Sequence, residues 1–141
     1  MDSFELLEHT ADIGIEATAG EREGLAEQCG YGLTYLLFGD QKDSGNSGKL
    51  TRAVRASGNG AEETLVNWLN ELLFALTERD LRCREIRVSH FSETEIMAEL
   101  QGERSDSVNH PMLREIKAVT HHQTRIDHAG DCWHARVYLD L

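Results

Sequence analysis

Apolar and polar positions alternate along most of this 141-residue chain, and two stretches break the alternation with a helical period. In FELLEHTADIGIEATA, two short alternating runs flank a polar break from Glu8 to Asp12. The second run turns Ile13, Ile15 and Ala17 to one face and Asp12, Gly14 and Glu16 to the other, as a strand requires. From Arg22 to Phe38 the period changes. Leu25, Cys29, Leu33, Leu36 and Leu37 recur at helical spacing, and Gly39 supplies a stop. Gly30 and Gly32 cost this helix about 1 kcal/mol each relative to alanine, so they point to a close packing contact.

Residues 39–48 have the composition of a loop, and KLTRAVRAS reads as a strand. A second helix is predicted over Glu62–Leu81. Leu65, Val66, Leu69, Leu72, Leu73 and Leu76 share one side of it, and Glu62 and Glu63 sit in the first turn, where acidic groups favour the helix dipole. IRVSHF and TEIMAELQ follow as two strand runs, then a polar stretch with the only proline, Pro111. REIKAVTHH, TRIDHA, a turn at Gly130 and Asp131, and a closing strand complete the chain. Six to eight short strands with two interspersed helices predict an α+β fold with a largely antiparallel sheet, organised as a single domain over residues 1–141.

The closing strand stays patterned to its end. Trp133, Ala135, Val137 and Leu139 fall on one face, and His134, Arg136, Tyr138 and Asp140 on the other. Terminal residues fray unless they are docked, so this order calls for a reason.

Composition narrows the chemistry. Hydrophobic residues at 40% and charged residues at 28% are those of a globular protein, with no apolar run long enough to span a membrane. MDSFELLEHT lacks the basic and apolar regions of a signal peptide, so a cytoplasmic protein is expected. Cys29, Cys83 and Cys132 are odd in number and far apart, which predicts reduced thiols. A formal charge of −11 repels a phosphate backbone, so contact with RNA is expected only through a more basic partner.

Three constellations carry chemical content. In HTAD, His9 and Asp12 stand three residues apart at the mouth of a strand and can both reach a cation, although the same pattern serves to cap a turn. Asp140, with the main-chain oxygens of Leu141, offers ligands suited to a hard cation such as Ca²⁺, Mg²⁺ or Mn²⁺, and antiparallel pairing of the first and last strands would bring Asp12 beside it. In KAVTHH, regular alternation puts His121 and His122 on opposite faces, which argues against a chelating pair, and Lys117 reads as an edge charge. The seven histidines form no HExxH or other ligand spacing, and no phosphate-binding loop, GxGxxG or GxSxG motif is present, so a stand-alone enzyme is not indicated.

HTADIGIEA, AEETLVNWLNELLFAL, IKAVTHH and GDCWHARVYLDL, in that order, resemble the archease family over the whole chain. His121 departs from the family's pattern, where an aromatic residue is expected. The resemblance implies an α+β fold built on a strand-helix-strand-strand module with insertions. It also implies an accessory role toward an RtcB-type RNA ligase in tRNA splicing and RNA repair, promoting GTP-dependent guanylylation and multiple turnover, with RNA met only through the ligase. A divalent cation, Ca²⁺ or Mn²⁺ foremost, would be held by Asp12, Asp140 and Leu141, with His9 as a supporting neighbour and Lys117 as a further functional residue. Two other readings remain open: a metal-dependent hydrolase acting alone, and a chaperone-like binding module.

Overall fold

The alternating segments pair into two antiparallel sheets. The computed structural model describes residues 2–8, 12–40, 49–78, 81–104 and 111–141, with Glu8 and Asp12 described by their backbone alone. Its elements are β1 (Ser3–Glu8), β2 (Asp12–Ala19), α1 (Arg22–Phe38), β3 (Lys49–Ser57), α2 (Ala61–Thr77), β4 (Leu81–Phe91), β5 (Glu95–Arg104), β6 (Ala118–Ala129) and β7 (Cys132–Asp140). One sheet has the order β1-β2-β7-β6 and the other β3-β5-β4, and every pairing is antiparallel. The α+β class expected from the sequence is therefore present, divided between two sheets.

The topology contains the same unit twice. The segment β3-α2-β4-β5 is a strand-helix-strand-strand module whose third strand lies between its first and second. Strand β2, helix α1, β6 and β7 repeat that arrangement, and the first module is inserted between α1 and β6. The outer module gains β1 as an extra edge strand.

Both helices pack on both sheets, so their buried residues form more than one stripe. A single apolar cluster joins the two sheets through α1 and α2. The glycines of α1 show how closely the layers approach. A β-carbon at Gly30 would stand 2.8 Å from Ile86 Cδ1 on β4 and 3.1 Å from Leu72 Cδ2 on α2. At Gly32 it would stand 2.9 Å from Ile15 Cγ2 on β2. Each glycine lets α1 close on one of the sheets, and burial offsets their low helix propensity.

Each helix also finishes an edge of the other module. Strand β4 lies at an edge, and α1 supplies partners for its outward backbone. The Tyr31 hydroxyl accepts from Ile86 N–H at 3.0 Å and donates to its carbonyl, while Glu27 Oε2 accepts from Val88 N–H at 2.8 Å. Strand β6 is likewise an edge, and Asn70 of α2 serves it. Its Oδ1 accepts from Val119 N–H at 2.9 Å, and its Nδ2 donates to the Val119 carbonyl at 2.9 Å.

Two expectations need correction. Helix α2 runs from Ala61 and ends at Thr77, four residues before Leu81, which instead opens β4 with its side chain fully buried. Leu81 belongs to the core through the sheet rather than through the leucine stripe of the helix. The runs around KAVTHH and TRIDHA belong to one strand, β6, whose register breaks. Residues 121–124 stand opposite Val137 alone, Gln123 adopts φ 58°, and Thr124 Oγ1 donates to the Thr120 carbonyl across the bulge. Regular alternation therefore does not hold at His121 and His122, and both are exposed.

Candidate functional site at the ends of three strands

Register places the expected residues together. Asp12, the first residue of β2, pairs with Asp140, the last of β7, and Asp140 pairs with Ala118, the first of β6. Lys117 N–H donates to the Asp140 carbonyl at 2.9 Å, extending the ladder by one bond. Asp12, Asp140 and the Lys117–Ala118 peptide thus form a row across three strands, with Leu141 immediately beyond. The side chains of Lys117 and Asp140 are exposed, as is Leu141. His9 lies outside the described residues.

The row follows from local patterning. Ile13, Ile15 and Ala17 of β2 and Ala135, Val137 and Leu139 of β7 are buried on the core side. A slip of one residue would turn one of the two sets outward, so the apolar faces limit the pairing to alternate registers, and the one adopted sets Asp12 opposite Asp140. Tyr138 keeps the outward face expected of it, opposite Gly14, yet is only 8% exposed. Its ring lies across Gly14, where a β-carbon would stand 2.9 Å from Tyr138 Cε1.

Asn70 was not singled out from the sequence. By binding both backbone groups of Val119 it fixes the start of β6, two residues after Lys117. An asparagine within NWLNELL, a poor helix residue among leucines, was the available signal.

Further along the same face, Glu16 accepts from His134 Nε2 at 3.0 Å on one oxygen and from Arg136 Nη2 at 2.8 Å on the other. The hydrogen bond from His134, and then that from Arg136, holds the Glu16 carboxyl below its ordinary range. Glu16 and Arg136 are direct cross-strand partners. The cysteines offer no nucleophile in the core: burial pushes the Cys29 and Cys83 thiols up to about 12, and Cys132 is exposed in the β6–β7 hairpin.

The donors of the row suit a hard cation, being carboxylate and main-chain oxygens with no sulfur or imidazole among those described. No group of three or more histidine, cysteine, aspartate or glutamate side chains that could hold a metal occurs among the described residues. Any site there draws on main-chain oxygens and water for the rest of its coordination shell. No helix among the described residues is long and apolar enough to cross a membrane.

Residues 4–141 match the model of the Archease protein family. The chain belongs to the archease family. It is 33% identical to the protein archease of Methanosarcina barkeri, with 98% of this chain and 95% of that protein covered. It is 31% identical to that of Pyrococcus abyssi over the full length of both, and 30% identical to a protein archease-like of Drosophila melanogaster over 87% of this chain and 79% of that one. The fold of protein 1598 of Methanobacterium thermoautotrophicum superposes with a TM-score of 0.74 at 24% identity, covering 99% of each chain. A Thermotoga maritima archease, described as a possible chaperone, superposes at 0.63 with 20% identity over 96% of this chain and 94% of that one. This archease fold accordingly includes both nested modules, since the likeness spans nearly the whole chain.

Proposed function

We propose that this protein activates an RtcB-type RNA ligase in the cytosol, promoting GTP-dependent guanylylation and multiple turnover in tRNA splicing and RNA repair, without being an enzyme by itself. Membership of the archease family supports the role, and one observation supports its location: Asp12 and Asp140 pair across β2 and β7 while Lys117 binds the Asp140 main chain. The ends of three strands thus meet at one edge where Lys117 and Asp140 are exposed, as a surface presented to a partner would.

Asp12, Asp140 and the main-chain oxygens of Leu141 would hold a divalent cation, Ca²⁺ or Mn²⁺ foremost and Mg²⁺ as a further candidate. Such an ion supplies charge stabilisation for phosphoryl transfer at the ligase centre. The protein's own contribution is placement. The backbone ladder sets Asp12 and Asp140 side by side before any ion arrives, and Asn70 anchors the segment that carries Lys117. Lys117 contributes a mobile point charge able to meet a phosphate oxygen or orient a carboxylate. His9 precedes β2 in sequence and would support Asp12 rather than bind the ion. The surplus of acidic residues steers the protein toward a basic RNA-binding cleft, an encounter that added salt slows.

The test is multiple-turnover RNA joining by an RtcB-type ligase with GTP and manganese. This protein and its Asp12→Ala, Lys117→Ala and Asp140→Ala variants are compared with no addition, and melts confirm folding. Wild-type protein should raise turnover, and each folded variant should return it toward the rate without addition. Absence of stimulation by the wild type, or phosphoester turnover by this protein without a ligase, would reject the reading.

A further inference from the structure

Beside the row of strand ends lies a groove of about 550 Å³ between α2 and the segment Met112–Lys117. Phe74 and Met112 line it and are 47% and 51% exposed. Glu78 and Glu115 lie on its wall, and so does Lys117, whose N–H bonds to Asp140 in the strand row. Phe74 also borders a second, smaller hollow on the β3 side, so it forms a ridge between the two.

We infer that this groove receives a segment of the ligase bearing apolar and basic side chains, alongside the ligase's active-site rim; the inference rests on the activator reading above. Two features select this occupant. The groove adjoins the proposed cation site, because Lys117 lines the one and bonds to the main chain of Asp140 in the other, so a partner engaged at Asp140 lies next to it. Its acidic wall, on a protein of formal charge −11, favours a cationic partner and disfavours a nucleic-acid backbone. An aromatic ridge beside a hollow of this size has the make-up of an interaction hot spot: Phe74 seats against apolar side chains while Glu78 and Glu115 pair with lysine or arginine at the rim. The two parts divide the work, the groove supplying affinity and the strand row supplying activation.

The experiment measures binding of the full-length protein to an RtcB-type ligase, and stimulation of joining as a function of protein concentration. Phe74→Ala and Glu115→Arg are compared with Met97→Ala, which alters an exposed methionine on β5 away from the groove. Because Phe74 and Glu115 are exposed, thermal melts should stay close to wild type. Phe74→Ala and Glu115→Arg should each weaken binding by at least about tenfold and Met97→Ala by less than about twofold. Excess Phe74→Ala protein should restore full stimulation, whereas excess Asp140→Ala should not. Wild-type affinity in both groove variants, with stimulation by the wild type intact, overturns the groove assignment and leaves the activator reading standing. A wild type that neither binds nor stimulates overturns both. Dissociation of a homodimer by Phe74→Ala, with ligase affinity unchanged, would assign the groove to a second copy of this chain instead.

Discussion

The two strand-helix-strand-strand modules share a topology and treat the same position in opposite ways. At the end of the third strand the outer module has Asp140, flanked by Asp12 at the start of its first strand and Ala118 at the start of its second. The inner module has Glu103 next to its strand end, one residue before Arg104, flanked by Lys49 at the start of β3 and Arg82, the second residue of β4. Glu103 is 7% exposed, with Arg84 Nε donating to it at 3.1 Å and Arg82 Nη1 3.8 Å away. Asp140 is exposed and faces a second acid along the ladder. One carboxylate is buried among basic groups and belongs to the structure; the other is left in solvent, on a strand whose register partner is a second acid, and it is there that the proposed cation would be held. Topology alone does not separate the two carboxylates. The residues that flank them do.

The sharpest way to break the contrast is to remove each acid in turn. Glu103→Ala removes a buried carboxylate that Arg82 and Arg84 approach and should cost about 3–5 kcal/mol, whereas Asp140→Ala at an exposed end should stay within about 0.5 kcal/mol. Urea denaturation of both variants measures the gap. Equal losses would mean that Asp140 is as structural as Glu103.

A middle-sized effect is expected at Asn70. Asn70→Ala strips partners from Val119 N–H and C=O and should cost about 1–3 kcal/mol. Amide hydrogen exchange should accelerate at Val119 and at Lys117, while the amides of β3 and β5 stay protected.

The smallest effect concerns the outward face of the outer sheet. His134 first, and Arg136 second, lower the Glu16 pKa from its ordinary value of 4.5. A carboxyl depressed on folding takes up its proton more readily in the unfolded chain. Its contribution is therefore complete above pH 4.5 and is lost as the pH falls through the lower folded value. Glu16→Gln should destabilise the protein by less than about 1 kcal/mol near neutral pH, and melts of variant and wild type should converge in strong acid. A gap that persisted in acid would show that packing rather than charge accounts for Glu16.

The outer module's strand ends were legible in the sequence because both flanking strands keep strict alternation. Ile13 and Ile15 in one, and Val137 and Leu139 in the other, leave only alternate registers that bury them all, and these set Asp12 and Asp140 on the same face of the sheet. Leu81 reads into α2 because no glycine or proline separates it from the leucine run, and periodicity cannot say which of two elements will bury a boundary residue. The bulge at residues 121–124 left no signal at all. Nothing in HHQT demands that Gln123 adopt positive φ; pairing with β7 imposes it. Asn70 was hidden for a related reason, since its partner lies 49 residues away on another module.

The exchange of edge partners between modules has a consequence for solubility. Exposed sheet edges template the addition of further strands, and the chain meets that hazard by lending Tyr31 and Glu27 to β4 and Asn70 to β6. The bulge in β6 spoils much of what remains of that edge. Each half acts as the other's guard against aggregation, so a fragment containing either module alone would bare a sticky border that the intact chain keeps closed.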